Sequence, residues 1–171
     1  MRTLYTEEDI AKRVDEMARR MAGDLPKDFL LATVLTGAFI FAADLLRALY
    51  KYGADPYVDF VQLSSYAGAR SSSGVVTLLK DFSVDIEGKT VLLLDDVLHT
   101  GRSLHFGKGM IEDRGAADVK LCVFVKKLTG HADDLECDYI GFEAGPDDFL
   151  VGYGMDDDGR KRGLPLLGSA N

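Results

Sequence analysis

The first hydrophobic positions of the chain recur at the three- and four-residue spacing of one helix face. They are Ile10, Val14, Met17, Ala18 and Met21. Thr6 and Asp9 precede this stripe as a helix-opening capping pair, and Gly23 follows it. The pattern predicts an amphipathic helix that begins after Thr6 and ends at Gly23.

Further along, short and nearly continuous apolar runs are typical of strands that are buried on both faces. The predicted strands are 29–35, 58–63, 75–79, 91–94, 121–125, 139–142 and 149–151. Helical periodicity returns from Phe39 to Tyr50 and from Ser103 to Arg114. A chain of 171 residues, 47% of them hydrophobic, is long enough for one core but short for two. We therefore predict one α/β domain, residues 1–171, with a twisted, mainly parallel sheet flanked by helices.

Two segments lack a clear periodicity. Residues 64–74 are mainly Ser, Gly and Ala, which predicts a mobile loop. Such a loop either connects two strands in solvent or closes over a ligand as a lid, and composition leaves both interpretations open. The tail, residues 156–171, is acidic, then basic, then rich in Gly, Pro and Leu. We expect the tail to lie over the domain surface.

Charge and composition exclude several classes of function. A net charge of −8 argues against a nucleic-acid-binding surface, which needs clustered Lys and Arg to neutralise phosphates. Cys122 and Cys137 have no metal-ligand spacing and are expected to be reduced thiols of a cytoplasmic protein. No apolar stretch approaches the eighteen residues of a membrane span, so we expect neither export nor a membrane anchor.

The most informative stretch is VLLLDDVLHTGRSL, residues 91–104. An apolar strand leads to the paired carboxylates Asp95 and Asp96, and a Thr-Gly-Arg-Ser turn then opens a helix. Backbone N–H groups at a helix N-terminus bind phosphate, and the hydroxyls of Thr100 and Ser103 stand beside them. Paired carboxylates accept hydrogen bonds from vicinal ribose hydroxyls and attract Mg²⁺. The stretch therefore predicts a sugar-phosphate site.

This stretch resembles the phosphoribosyl pyrophosphate (PRPP) signature of the type I phosphoribosyltransferases. That signature is a hydrophobic strand, two acidic residues, two apolar residues, a variable position and Thr/Ser-Gly-x-Ser/Thr. The resemblance implies the type I phosphoribosyltransferase fold, with a lid loop at about 64–80 and a small hood at about 143–171. It also implies a set of residues that bind PRPP and the nucleotide: Asp95, Asp96, Val97, Leu98, Thr100, Gly101, Arg102 and Ser103.

Over most of its length the chain is similar to bacterial hypoxanthine phosphoribosyltransferases. Five further landmarks fall in that family's order: 35–39, 64–66, 80–81, 125–127, and 149–156 with 162–165. The resemblance implies Mg²⁺-dependent transfer of phosphoribose from PRPP to a 6-oxopurine, hypoxanthine or guanine. The products would be IMP or GMP and pyrophosphate, in purine salvage. A homodimer or homotetramer is also implied, and no nucleic acid or membrane is expected as a partner.

The resemblance also assigns roles to the residues around the base. Lys126 would donate a hydrogen bond to the purine O6, Phe149 would stack on the purine, and the Leu150 backbone would meet the base edge. Without the motif, Lys126 could equally be a solvated strand end, and Phe149 and Leu150 ordinary core residues of a strand.

For pyrophosphate and metal, the resemblance points to the loop after the first predicted strand, to the lid and to the tail. The pyrophosphate residues would be Thr36, Gly37, Ser65, Tyr66 and Arg162. Asp156 would bind Mg²⁺, as would the signature pair Asp95 and Asp96. In isolation, Asp156 and Arg162 are also compatible with an ordinary solvated tail. The family often has a non-proline cis peptide in the pyrophosphate loop.

Two positions depart from the family. Thr36 stands where the pyrophosphate loop commonly has Lys or Arg, and His99 stands where an Asp is the presumed general base for the purine N7. An imidazole has an ordinary pKa of about 6.5 and can accept that proton at neutral pH. It adds no negative charge beside the reacting ribose.

The departure at His99 leaves two alternative functions open. The pyrimidine-operon attenuator proteins of the same superfamily carry a similar Asp-Asp-Val-Leu-x-Thr-Gly-Arg segment, but they bind RNA through a basic face. The other alternative is a catalytically silent nucleotide sensor that retains PRPP binding and has lost its base.

Overall fold

A computed structural model describes residues 1–65, 75–129 and 135–171. In chain order its elements are β1 (Arg2–Tyr5), α1 (Glu7–Asp24), β2 (Leu30–Leu35), α2 (Phe39–Lys51), β3 (Tyr57–Ser65), β4 (Val76–Lys80), β5 (Thr90–Leu98), α3 (Arg102–Asp113), β6 (Asp118–Lys127), β7 (Tyr139–Ala144), β8 (Leu150–Val151) and β9 (Leu167–Ser169). None of the helices in the described ranges is long and apolar enough to span a membrane.

A six-stranded sheet in the order β4-β3-β2-β5-β6-β7 forms the centre of the molecule. All its neighbouring strands are parallel except β4, which is antiparallel to β3. The most buried strands are the apolar runs, because parallel strands covered on both faces must be hydrophobic on both sides. The predicted α/β class and mainly parallel sheet are confirmed.

Helices cover both faces of this sheet. One core lies between the sheet and helices α1 and α2, and includes Phe41 and Phe124. The other lies on the α3 side and includes Leu104 and Ile111. Alternate residues of each strand enter opposite cores, since successive side chains of a strand point to opposite faces. The sheet thus separates two hydrophobic cores within one domain.

The first helix begins as its sequence predicts. The Asp9 backbone N–H donates to Thr6 Oγ1 at 3.2 Å, and the Thr6 N–H donates to Asp9 Oδ2 at 2.9 Å. This reciprocal capping box satisfies two N–H groups that the first turn leaves without partners. The helix ends at Asp24, one residue later than predicted, because Gly23 keeps a helical conformation.

A second, three-stranded antiparallel sheet in the order β1-β9-β8 contains the C-terminal tail. The prediction that the tail lies over the surface is wrong for its last residues, since Leu167 and Ser169 are buried. The short strands β1 and β9 have no recognisable sequence pattern because each exists through pairing with the other. Strands β8 and β9 of this small sheet lie in the predicted hood, residues 143–171, whereas residues up to Ala144 belong to the central sheet.

Several strands are longer than their apolar runs. Strand β5 continues through Asp95 and Asp96 to Leu98, because its pairing with β6 extends to Lys126. The paired carboxylates therefore lie among the last residues of the strand rather than after it. Strand β3 likewise continues into the predicted lid segment 64–80, where Ser65 pairs with Val76 of β4. The remainder of that loop, 66–74, lies outside the described residues.

Asp59 fixes the segment between β4 and β5 to the sheet. This buried carboxylate accepts hydrogen bonds from the N–H groups of Phe60 (2.8 Å), Ser83 (2.6 Å) and Val84 (3.1 Å). Lys80 Nζ lies 3.6 Å from Asp59 Oδ1. Burial raises the pKa of Asp59, but the three N–H donors and Lys80 outweigh it, so the pKa lies below the usual 3.8.

We expect Asp59→Asn to lower the free energy of unfolding by about 2 kcal/mol at pH 7, because an amide binds these N–H groups less strongly than a carboxylate. Since the folded pKa is depressed, the stabilisation exists above about pH 4 and is lost as the pH falls through the folded pKa. Urea unfolding at pH 7 and pH 3 measures this. Asp85→Asn, at an exposed position, should change the unfolding free energy by less than about 0.5 kcal/mol. An equal effect of Asp59→Asn at both pH values would contradict the account.

Candidate active site

The turn between β5 and α3 has a backbone conformation in which helix N–H groups can bind an anion. Gly101 adopts φ +77°, a left-handed conformation that glycine allows without strain, and α3 begins at the next residue. The Arg102 N–H makes a long contact of 3.4 Å with Thr100 Oγ1, and the His105 N–H donates to the Gly101 carbonyl at 2.8 Å. Within the described residues no side chain caps α3. The N–H groups of its first turn thus point towards the loop, where a phosphate would accept their hydrogen bonds.

Two carboxylates stand immediately before this turn. Asp95 is buried and its Oδ1 accepts from the Asp96 N–H at 2.9 Å, while Asp96 Oδ1 accepts from the Val97 N–H at 2.7 Å. Burial, and then the neighbouring charge of Asp96, raise the pKa of Asp95 well above its usual value. Such a pair favours a cation or hydroxyl donors as its ligand.

The carboxylate pair fits a shared Mg²⁺ better than a metal held by protein alone. Among the described residues, no three or more His, Cys, Asp or Glu side chains converge in a way that could hold a metal ion. Mg²⁺ commonly uses one or two carboxylates and completes its shell with substrate oxygens and water. Asp95 and Asp96 supply oxygen ligands of that kind.

Gly37 is packed between the carboxylate pair and the hood. A Cβ atom at Gly37 would overlap Asp96 Oδ2, and a Cβ at Gly154 would overlap the Gly37 carbonyl oxygen. The Leu35–Thr36 peptide bond is cis, and the Thr36 carbonyl accepts from the Phe39 N–H at 3.2 Å. The predicted pyrophosphate loop therefore lies directly beside the predicted ribose carboxylates.

The two tail residues predicted to bind metal and pyrophosphate contact each other. Arg162 Nη2 lies 2.9 Å from Asp156 Oδ1, and Arg162 Nη1 donates to the Gly154 carbonyl at 2.7 Å. Asp156 Oδ2 also accepts from the Gly159 N–H at 2.8 Å. Through Gly154 this pair is connected to Gly37. Among the described residues, Asp156 does not form a metal-binding cluster with Asp95 and Asp96.

The residues predicted to bind the base lie near the ends of β6 and β8. Lys126 pairs with Leu98 across the β5–β6 ladder and is half-buried. Phe149 is 53% exposed, which is unusual for a large aromatic side chain, and its N–H donates to Asn171 Oδ1 at 2.7 Å. The next residue, Leu150, is buried in β8. An exposed ring beside a buried strand is suited to stacking on a ligand.

His99 is exposed, and its carbonyl oxygen accepts a hydrogen bond from Thr129 Oγ1 at 3.1 Å. Sequence reasoning missed Thr129, because a single threonine after a strand carries no motif. Ser65 is the last residue of β3, at the start of the predicted lid. Tyr66, the other lid residue predicted to bind pyrophosphate, lies outside the described residues.

Strand, carboxylate pair, glycine turn and helix N-terminus together define a nucleotide- or sugar-phosphate-binding α/β protein. A family model described as the phosphoribosyl transferase domain matches residues 2–158. The chain belongs to the phosphoribosyltransferase family, and the predicted fold and enzyme class are confirmed.

The curated relatives that match this chain are of the hypoxanthine-guanine type. The hypoxanthine-guanine phosphoribosyltransferase of Aquifex aeolicus is 40% identical over 167 residues, which cover 96% of this chain and 92% of the relative. That of Bacillus subtilis is 35% identical over 168 residues, which cover 98% and 91%. These similarities extend far beyond the PRPP signature.

Solved structures agree with this placement. A structure of the Trypanosoma cruzi hypoxanthine phosphoribosyl transferase matches with a TM-score of 0.92 at 34% identity, covering 100% of this chain and 91% of that one. A mutant form of the same enzyme, complexed with the product IMP, matches with a TM-score of 0.91 at 34% identity, covering 100% and 90%. The predicted resemblance to this branch of the family is thereby confirmed.

We expect Gly37→Ala to reduce phosphoribosyl transfer by about a hundredfold, because the new Cβ would displace the Asp96 carboxylate, and misplacement of about 1 Å costs that much. Steady-state turnover measures the loss, and circular dichroism checks that the variant folds. The matched control is Gly109→Ala in α3, where a Cβ meets no atom within 4 Å. That control should keep its activity and gain about 0.5 kcal/mol of stability. Equal activity of the two variants would contradict the role of Gly37.

Proposed function

We propose that the protein transfers phosphoribose from PRPP to a 6-oxopurine, hypoxanthine or guanine, in purine salvage. One observation carries the proposal: the carboxylate pair Asp95–Asp96 near the end of β5 is followed by a glycine turn and a helix N-terminus that no side chain of the described residues caps, so one short segment can bind both ribose and phosphate. The hypoxanthine-guanine type of the relatives supports the choice of a purine as acceptor.

The chain's own residues would divide PRPP into three parts. The first turn of α3 binds the 5′-phosphate through backbone N–H groups, and Asp95 and Asp96 accept hydrogen bonds from the ribose hydroxyls. The backbone of Gly37 and the planar guanidinium of Arg162 hold the pyrophosphate oxygens. When bound, Mg²⁺ supplies positive charge that neutralises the leaving pyrophosphate. The reaction breaks the bond from C1 to pyrophosphate oxygen and forms a bond from C1 to a purine nitrogen.

Arg162 must act in two contacts. Its guanidinium contacts the Asp156 carboxylate and the Gly154 carbonyl. A pyrophosphate oxygen would compete with the Asp156 carboxylate for the same donors, and Asp156 would be one of the residues that hold Mg²⁺. This exchange supports both assignments without a second cation.

The base would lie between the ends of β6 and β8. Lys126 donates to a 6-oxo group but has no acceptor for the 6-amino group of adenine, so the site favours a 6-oxopurine. Phe149 offers the exposed ring on which the purine stacks, and the Leu150 backbone meets the base edge. The base set itself, hypoxanthine with guanine, is supported by the relatives.

His99 would accept the proton from the purine N7. An exposed imidazole can do so when it is neutral, and the bond from Thr129 to its carbonyl holds the peptide in place. Its lack of negative charge is the specific observation that favours a second candidate, a nucleotide sensor that binds PRPP without turnover. The two candidates differ in turnover alone.

The direct test is nucleotide formation from PRPP and Mg²⁺ with hypoxanthine, guanine, xanthine, adenine and uracil, at pH 6 and pH 8. We expect turnover with 6-oxopurines only. If His99 is the base, the rate should fall from pH 8 to pH 6, because an imidazole that gains a proton can no longer accept one from the purine. His99→Asp should show no comparable fall, since a carboxylate stays ionised at pH 6.

Each alternative has its own outcome in this experiment. A rate that does not change between pH 8 and pH 6 in the parent protein would exclude His99 as the base. PRPP binding without turnover, with activity gained in His99→Asp, would identify the sensor. Turnover with uracil would contradict the purine assignment.

The proposal extends to a homodimer or homotetramer formed through α2 and β3. Tyr50 of α2 and Val58 of β3 are exposed large hydrophobic side chains that line one surface pocket, and neighbouring exposed apolar side chains are unusual for a monomer. Analytical ultracentrifugation should give a multiple of the 18.7 kDa chain mass. Tyr50→Glu should shift the mass towards one chain, whereas a monomeric parent would contradict the proposal.

A cytoplasmic location is also proposed, since Cys122 and Cys137 are both free.

A further inference from the structure

Tyr153 is fixed within the closing segment of the hood from several directions. It has φ 48° and lies between two glycines of positive φ, so its backbone conformation is not intrinsically favoured. Its buried ring packs on Phe124 with 4.7 Å between ring centroids, and its N–H donates to the Leu164 carbonyl at 2.9 Å. Its hydroxyl donates to Asp44 Oδ2 at 2.7 Å. Tyr153 therefore connects the hood to α2, which carries Asp44.

The same two segments meet a second time at the pyrophosphate loop. A Cβ at Gly154 would overlap the Gly37 carbonyl oxygen, so the two backbones lie too close for any residue but glycine at position 154. Gly154 also exchanges two hydrogen bonds with Arg162: its carbonyl accepts from Nη1 at 2.7 Å, and its N–H donates to the Arg162 carbonyl at 2.9 Å. The position of Gly154 thus sets both the edge of the pyrophosphate loop and the place of Arg162.

One peptide bond joins these two sets of contacts. Because Tyr153 and Gly154 are consecutive, a shift of the Tyr153 side chain is passed directly to the Gly154 backbone. Asp44 lies on the helix that begins two residues after Gly37, so its own position is tied to the pyrophosphate loop. The hydroxyl bond and the glycine contact brace the same pair of segments at two points.

We propose that Tyr153 and Asp44 are positioning residues for pyrophosphate, which act by holding Gly154 and Arg162 against the Thr36–Gly37 loop. This inference rests on the proposed function, in which that loop and Arg162 bind the pyrophosphate of PRPP. It gives Asp44 and Tyr153 roles that neither the PRPP signature nor the base-binding residues require. Burial, and then the bond to Asp44, raise the pKa of Tyr153, so the hydroxyl keeps its proton and remains a donor at neutral pH.

The variant Tyr153→Phe distinguishes an effect on pyrophosphate binding from an effect on base binding. It keeps the ring on Phe124 and removes only the hydroxyl. We expect the KM for PRPP, and for pyrophosphate in the reverse reaction with IMP, to rise about tenfold, the effect of one hydrogen bond to a charged group. The KM for hypoxanthine should stay within about twofold. A residue that only stabilised the fold would not divide the two KM values in this way.

Asp44 supplies the second half of the test. Asp44→Ala should raise the KM for PRPP as much as Tyr153→Phe does, and the double variant should be no worse than either single one, since both remove the bond between these two residues. Asp44→Ala also removes an ion pair with the exposed Arg47 (3.2 Å), which lies within α2. Asp44→Asn keeps an acceptor oxygen and should recover part of the loss.

A matched control lies at the other contact of α2, where a second tyrosine hydroxyl bonds to an aspartate. The Tyr52 hydroxyl donates to Asp15 Oδ2 at 2.6 Å and connects the C-terminal end of α2 to α1, and this bond involves no residue of the hood. Tyr52→Phe removes the same kind of bond and should leave every KM unchanged, although it should lower the Tm by a similar amount. If Tyr153→Phe behaves like Tyr52→Phe, the positioning role is overturned.

Failure of the proposed function would be visible separately. If the parent protein does not turn over, calorimetric binding of inorganic pyrophosphate with Mg²⁺ replaces the KM. Weaker binding by Tyr153→Phe than by Tyr52→Phe would then support the positioning role in a protein that is not this enzyme. Equal binding by the two variants, or no binding by the parent, would overturn it.

Discussion

The site depends on two close backbone contacts at Gly37. On one side its Cα faces the Asp96 carboxylate, and on the other its carbonyl faces Gly154 of the hood, with no room for a Cβ at either glycine. These contacts join the end of a central strand, the loop before α2 and the C-terminal segment, which are far apart in sequence. Because packed interiors resist compression, a change at any of the three segments is felt by the other two. The pyrophosphate loop has its place only within this arrangement.

Other parts of the fold hold the residues around Gly37 in place. Parallel pairing between β5 and β6 continues past the apolar core and holds Asp95 in a buried position that isolated carboxylates avoid. The raised pKa of Asp95 shows the cost of this placement, which a bound cation or the ribose hydroxyls would offset. The glycine turn then directs the first N–H groups of α3 to the same space. The negatively charged carboxylates and the N–H donors of α3 are thus placed next to each other. A sugar phosphate requires both, since its hydroxyls donate hydrogen bonds and its phosphate accepts them.

Local patterns predicted much of this structure, and pairing between distant segments accounts for what they missed. Sequence patterns predict three features whose causes lie within a few residues. These are the capping box at Thr6 and Asp9, the buried strands, and the Asp95–Asp96 pair with the turn that follows it. The strands β1 and β9 are not predicted in this way, since each is ordered by the other. Asp44 looks like any surface carboxylate until the Tyr153 hydroxyl is seen to reach it. The roles of Lys126, Phe149 and His99 remain predictions that rest on the family resemblance.

The central claim is that one segment, from Asp95 to Ser103, binds both the ribose and the 5′-phosphate of a purine nucleotide. A crystal structure of the protein with IMP and Mg²⁺ tests it most directly. The account predicts the 5′-phosphate at the first-turn N–H groups of α3 and the ribose hydroxyls within hydrogen-bonding distance of Asp95 or Asp96. A nucleotide whose phosphate lies elsewhere, with these carboxylates contacting neither ribose nor metal, would contradict it.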